Sequence, residues 1–234
     1  MPKLVFLCRR RPDLTHERYA ELLLRGHVPL ALRHHPTMRK YVVNVVEGLR
    51  AGAEPLDSIG ELTFDTLDDF RVRLYDSEEG RRIIERDVAG FMGGAHAYVT
   101  TEHVQKGAAV TEPRGLRSPG IKIVGLVRRP DGMTHEKFVE HWLERHVPLA
   151  LRHHPGLHKY VTNVVDTRLG DAPEWDGIAE LHFPSRDAMR TQFFDSPEGE
   201  RIIREDMPRF IGHTWGYDVA EYVQPSQDCV LGRG

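Results

Sequence analysis

The chain has 234 residues, 40% hydrophobic and 29% charged, with a net charge of −3 at neutral pH. That balance suits a globular protein and leaves no basic footprint for nucleic acid. No apolar run approaches the roughly 20 residues of a membrane span. The two cysteines, Cys8 and Cys229, are too few for a disulfide framework. The opening "MPKLVFLCRRRPD" has no signal-peptide core, so a reducing cytoplasm is the expected setting.

In chain order, "KLVFLC" (3–8) reads as a short apolar strand. A helix should begin at Thr15, a good N-cap, with Glu17 in its first turn where the helix dipole favours an anion. The decapeptide "HVPLALRHHP" (27–36) follows. Pro29 should end, kink or restart the helix, which places His27 near a helix C-terminus, and Pro36 should stop a second short helix. The β-branched "RKYVVNVVE" reads as strand two and the alternating "SIGELTF" (58–64) as strand three. Residues 66–75 and 77–92 read as helices broken around "DSEEG", with Ser77 as a cap. "AHAYVTTEHVQ" (95–105) reads as the last strand, and the Gly- and Pro-rich stretch 106–120 as a linker.

Beyond the linker the series starts again. "HVPLALRHHP" recurs unchanged at 146–155, and His146 lies 146 − 27 = 119 residues after His27. The same offset, without a gap, brings "KYVVNVV" (40–46) onto "KYVTNVV" (159–165), "IGELTF" (59–64) onto "IAELHF" (178–183) and "DSEEGRRIIERD" (76–87) onto "DSPEGERIIRED" (195–206). The chain therefore reads as repeat 1 (1–105), linker (106–120), repeat 2 (121–224) and tail (225–234). Each repeat has the order βαββαβ, an α+β, ferredoxin-like plan: a four-stranded antiparallel sheet with helices on one face. In "YVVNVV" both faces are apolar, so neither can stay wet. The simplest expectation is that the two sheets pack face to face, building an α/β barrel within one chain.

The run "RRPDGMTHEKFVEHWLERHVPLA" (128–150), followed by "PGLHKYVTN" (155–163), resembles the EthD-domain family of the dimeric α/β-barrel superfamily. The resemblance covers both repeats and is fuller in repeat 2. Where repeat 2 has His141 and Trp142, repeat 1 has Leu22 and Leu23. It implies the fold. It spreads function over isomerases, cyclases, dehydratases, oxygenases and haem-related enzymes, among which fold analogy does not choose.

Several residues carry chemistry. His27 and His146 could cap a helix end or act as general acid and base, since imidazole titrates near neutral pH. Trp142, one helical turn from His146, would line the same pocket. In strand two, Tyr41 and Tyr160 would donate to a substrate oxygen, and Asn44 and Asn163 would orient a carbonyl. Their three-residue spacing puts each Tyr and Asn on opposite faces of a regular strand. Glu180 and its counterpart Glu61 could pair with Arg128 and Arg9, or serve as a base with a raised pKa. Asp57 and Asp176 read as turn caps. His96, His182 and Trp215 stand where the repeats differ and are candidates for substrate binding. Adjacent helical histidines point about 100° apart, so His34–His35 and His153–His154 are a poor chelating set, and no metal is expected. At least one of each pair should cap a helix or lie exposed. No GxGxxG, P-loop, GxSxG or CxxC element occurs, so no cofactor is expected. The expectation is a cofactor-independent acid–base enzyme of the lyase, isomerase, cyclase or dehydratase type. It would act on a small aromatic or polyketide-like molecule in the barrel cavity, with a homodimer of tandem chains compatible. The alternatives are a non-catalytic binding protein of a catabolic pathway and a haem- or oxygen-using, monooxygenase-like barrel.

Overall fold

The computed structural model describes residues 1–50, 52–107 and 113–225; Cys229 and the rest of the tail lie outside them. Repeat 1 runs β1 (Lys3–Arg10), α1 (His16–Glu21), α2 (Val28–His34), β2 (Met38–Leu49), β3 (Ser58–Phe64), α3 (Leu67–Arg71), α4 (Glu78–Phe91), β4 (Met92–Lys106). Repeat 2 runs β5 (Ile121–Arg128), α5 (His135–Glu140), α6 (Val147–His153), β6 (Lys159–Leu169), β7 (Gly177–Phe183), α7 (Arg186–Thr191), α8 (Pro197–Asp206), β8 (His213–Val223). The caps fall where the sequence places them. Thr15 and Thr134 accept from the backbone N–H of Arg18 and Lys137, and Ser77 and Ser196 from Gly80 and Gly199.

The strands close into one barrel in the order β1-β3-β2-β8-β5-β7-β6-β4, every pairing antiparallel. Within a repeat the order β2-β3-β1-β4 is ferredoxin-like. The two sheets face each other and also join edge to edge. Strand β2 pairs with β8 (Asn44 opposite Glu221) and β4 with β6 (Glu102 opposite Asn163). Closure leaves no sheet edge unpaired.

Most strands are buried on two sides over their central residues. Towards the lumen, Val5, Leu7, Val46, Ile59 and Tyr98 of repeat 1 pack with Val124, Leu126, Val165, Trp175 and Tyr217 of repeat 2. On the outside, Tyr19, Leu23, Val28 and Phe91 cover Leu4, Tyr41, Val43 and Phe64, and Phe138, Trp142, Val147 and Phe210 cover Ile123, Val127, Tyr160 and Phe183. Each such side chain contributes about 1.5–3 kcal/mol on full burial. Side chains from both repeats pack in the lumen, and the two hollows described below lie between helices and sheet.

The first helix of each repeat does not end before its proline. A π-helical turn, Leu22–His27 or His141–His146, joins α1 to α2 and α5 to α6. The N–H of Val28 reaches back five residues to Leu23 O, and that of Val147 to Trp142 O. Pro29 and Pro148 fall in the first turn of the following α-segment, where a missing N–H is tolerated. His27 and His146 therefore stand inside a continuous helical run, at the end of a π-bulge, a feature common at functional sites.

Candidate active site

Between helices and sheet lie two hollows, one of about 310 Å³ on the repeat 1 side and one of about 400 Å³ on the repeat 2 side. The repeat 2 hollow is built on the bulged helix. Trp142, His146 and Ala150, one turn apart, share the face turned to the sheet, and Tyr160 of β6 faces them. His146 is buried; its Nδ1 donates to Asp206 Oδ2 at 2.9 Å. Asp206 Oδ1 accepts from His141 Nε2 at 2.9 Å, and the Phe210 ring stacks on His141 and contacts His146. Burial alone would raise the Asp206 carboxyl, but the hydrogen bonds from His146 and His141 outweigh it and hold the group below the usual carboxylate range. A carboxylate at Nδ1 fixes the tautomer that leaves the His146 Nε2 lone pair free. The Tyr160 phenol is pushed up to about 12 by burial, so it remains a protonated donor.

The repeat 1 hollow has the same frame and a plainer lining. His27 Nδ1 donates to Asp87 Oδ2 at 2.8 Å, and Tyr41 faces the cavity. Leu22 and Leu23 stand in place of His141 and Trp142, so Asp87 has no second histidine. Cys8 also lines this hollow; burial pushes its thiol up to about 12, which makes it a weak nucleophile. Opposite Gly60 in the β1–β3 ladder stands Phe6, whereas Gly125 faces Ala179 in β5–β7. That exchange opens the repeat 2 floor.

The paired histidines divide their tasks: all four are buried, so none is exposed, while His35 and His154 stand at the C-cap positions of α2 and α6, as the capping half of the expectation has it. His34 bonds Asp76 (3.0 Å) and His153 bonds Asp195 (3.1 Å), the residues just before the serine caps of α4 and α8. His35 and His154 line the hollows and bond the carbonyls of Leu74 and Phe193. Burial pushes the His35 imidazole down to about 4 and lowers His154 as well, so both stay neutral.

Other sequence candidates lie in the lumen. Glu61 and Glu180 pair with Lys3 and Lys122, not with Arg9 and Arg128, because they stand opposite Val5 and Val124 in the ladders, two residues from the lysines, whereas Arg9 and Arg128 lie at the far ends of β1 and β5 and Arg9 bonds Glu54. Lys3 Nζ lies 2.6 Å from Glu61 and 2.6 Å from Glu180; Lys122 Nζ lies 2.7 and 2.8 Å from the same two. Asn44 and Asn163 donate to Glu61 and Glu180, each at 2.8 Å. His182 is buried 3.8 Å from Glu180. Trp215 packs on Trp175 at the lumen core, and the aligned His96 is half-buried on β4. Among the described residues, two sets bring three ligand-type atoms within 4.8 Å of one another, Glu180–His182–Glu221 and Glu61–Glu102–Glu180. Each already holds a cation: Lys122 lies on Glu180 and Glu221, and Lys3 on Glu61, Glu102 and Glu180. Asp57 and Asp176 pin the strand-one ends, accepting from the backbone N–H of Arg10 and Arg129 and from both guanidinium groups.

Asp87 and Asp206 were not singled out from the sequence, although they end the matched segments "DSEEGRRIIERD" and "DSPEGERIIRED", 206 − 87 = 119 residues apart. A carboxylate repeated at the end of a helix, in register with a repeated histidine, was the available signal.

A family model described as the EthD domain matches residues 11–95 and again 130–214. The chain belongs to the EthD family, as a tandem pair. No curated protein matches the chain in sequence. Its barrel is similar to that of an anthrone oxidase-like protein (TM-score 0.63, 11% identity, covering 97% of this chain and 94% of that one). It is also similar to two candidate monooxygenases. The one from Fusobacterium nucleatum gives TM-score 0.62 at 7% identity, covering 95% of this chain and 94% of that one. The one from Lactobacillus acidophilus gives TM-score 0.54 at 12% identity, covering 97% and 95%. At these identities the likeness is one of fold. Among the described residues no helix of the EthD tandem is long and apolar enough to cross a membrane.

Proposed function

We propose that the repeat 2 hollow is the active site of a cofactor-independent acid–base enzyme acting on a small aromatic or polyketide-like molecule. The observation that carries this reading is the His146–Asp206 pair facing an apolar cavity of about 400 Å³, a size typical of small-molecule sites. His146 Nε2 takes a proton from an acidic C–H or O–H of the substrate, and the Asp206 carboxylate stabilises the imidazolium that forms. Tyr160 donates a hydrogen bond to the substrate oxygen on which charge develops. Trp142 forms the wall against which an aromatic ring packs. Return of the proton to another substrate atom gives isomerisation or cyclisation, and its delivery to a leaving hydroxyl gives dehydration.

The partner of this site is its substrate, and a homodimer of tandem chains is compatible with it. The experiment is a turnover screen of hydroxylated polycyclic aromatics and their keto tautomers, read by product mass and by oxygen uptake, with His146→Ala as the control. Turnover lost in the variant, without oxygen uptake, supports the reading. Oxygen uptake with a product one oxygen heavier replaces it with an oxygenase. A haem absorbance band in the purified protein points to the haem alternative. Binding without turnover across the screen leaves the accessory-protein alternative standing.

A further inference from the structure

The two hollows differ most sharply in charge. Among the described residues no Lys, Arg, Asp or Glu lines the repeat 1 hollow. Among the same residues the repeat 2 hollow is lined by two arginines, Arg50 and Arg204, and no carboxylate. Arg50 does not belong to repeat 2. It follows the end of β2 in repeat 1 and reaches the other repeat across the β2–β8 seam, its N–H bonded to Gly216 O at 2.9 Å.

The seam is shaped for this crossing. A Cβ on Gly216 would lie 2.8 Å from Arg50 Cδ, so the side chain passes where any larger residue would stand. At the other seam the same two places hold Ala97 and Leu169, opposite each other in the β4–β6 ladder, and Leu169 packs on the repeat 1 core. A guanidinium over glycine at one seam thus answers a leucine beside alanine at the other.

Arg50 is also held in place with donors to spare. Its Nε and Nη2 both donate to Asp218 Oδ1, at 3.1 and 2.8 Å. Among the described residues Nη1 has no acceptor. Arg204 is differently placed: its guanidinium is two-thirds exposed and bonded to Glu200 on its own helix. Inside the mouth the wall is flat and apolar, with Trp142, Phe193, Phe194 and Phe210 around His146.

We infer that the repeat 2 hollow selects an aromatic carboxylic acid, its ring among Trp142 and the phenylalanines and its carboxylate on Arg50 supplied by repeat 1. Nη2 is taken by Asp218 Oδ1 and Met189 Sδ, so a substrate carboxylate meets the guanidinium at Nη1, in a charge-assisted contact. The repeat 1 hollow, with Leu169 at that place, takes neutral apolar molecules. This deepens the proposed function, since it names the substrate class of the same site. It also makes the tandem fusion functional, because the acid-selective site is complete only when both repeats are present.

The test is calorimetric titration of the intact chain with 2-naphthoate and with the neutral 2-naphthamide, on wild type, Arg50→Leu, Arg50→Lys and Arg204→Gln. The acid should bind wild type about 10- to 100-fold more tightly than the amide. Arg50→Leu should erase that preference while leaving amide affinity unchanged, which also shows that the pocket is still folded. Arg50→Lys should keep part of the preference, and Arg204→Gln all of it. Equal binding of acid and amide to wild type, a preference that survives Arg50→Leu, or no binding of either probe overturns the inference. The readout is independent of turnover. Acid-selective binding without any activity would sink the enzyme reading alone, and turnover of neutral substrates without acid selectivity would sink this one alone.

Discussion

Trp142 packs so closely on Gly177 that a β-carbon at that glycine would collide with its six-membered ring. Repeat 1 solves the same place differently, with Leu23 and Ser58, and Ser58 Oγ bonds Tyr19 where repeat 2 has Phe138. The two solutions are sets, not interchangeable residues. Gly177→Ser alone should destabilise the protein by about 1–3 kcal/mol through overpacking. Trp142→Leu alone should cost stability by leaving a cavity. Combined, they should recover about 0.5–3 kcal/mol relative to the sum of the two. Denaturant unfolding of the four proteins measures this, and strict additivity would show that the pair is not coupled.

His146→Ala should abolish turnover while lowering the thermal midpoint by only a few degrees, since about 1 kcal/mol shifts a domain of this size by about 2–4 °C. Asp206→Asn should cut kcat by about 100-fold or more with a smaller change in KM, because the amide no longer fixes the tautomer of His146. His141→Leu copies repeat 1 and should weaken activity less, since Asp206 keeps its bond to His146. His27→Ala should leave most of the activity. Equal and severe losses from His27→Ala and His146→Ala would mean two working sites or one shared site.

The barrel was legible because its signals are repeated and local. The 119-residue offset, the serine and threonine caps and the two-sided apolar strands each occur twice and need no tertiary information. The site was half legible. His146, Trp142 and Tyr160 meet because helical spacing and strand alternation place them. Asn163, Glu180 and His182 turn inward instead, since alternation says which residues share a face of a strand but not which face meets the helices. Pro29 marks the restart of an α-segment, as its chemistry requires, but the π-helical turn that leads into it is announced by nothing in the local sequence. Arg50 was invisible because its role depends on which strands form the seam.

Glycine substitutions separate packing from propensity. Gly90 of α4 has no heavy atom within 4 Å of a β-carbon position, so Gly90→Ala should stabilise by up to about 1 kcal/mol. Gly199 of α8 is also helical, but a β-carbon there would lie 2.7 Å from His153 Nδ1 and collide with Asp195. Gly199→Ala should therefore destabilise, breaking the His153–Asp195 bond that ties α6 to the start of α8. Opposite shifts of the thermal midpoint check this; two increases would mean the histidine–aspartate contact contributes little.

The lumen ring of Lys3, Glu61, Lys122 and Glu180 is almost fully buried, so its charges depend on one another. Removing one member leaves its partners unpaired in a medium that solvates them poorly, and Lys122→Met should cost about 3–5 kcal/mol. The pH dependence carries the sharper signature. Burial alone would raise the Glu221 carboxyl, but the Lys122 ammonium outweighs it and holds the group at about 2; Glu180 is held well below its ordinary value against the same burial by Lys122 and Lys3. A carboxyl depressed on folding contributes stability that is fully present above its unfolded pKa and is lost as pH falls towards the folded one. The wild-type thermal midpoint should thus hold from pH 7 to about 5 and fall between about 4 and 2. In Lys122→Met the orphaned carboxylates should titrate higher, so protonation relieves them and the deficit against wild type should narrow on acidification. A deficit that stays constant from neutral to acid pH would mean that the lysine acts through packing of its stem, and that the ring's charges do not set the acid limit of the fold.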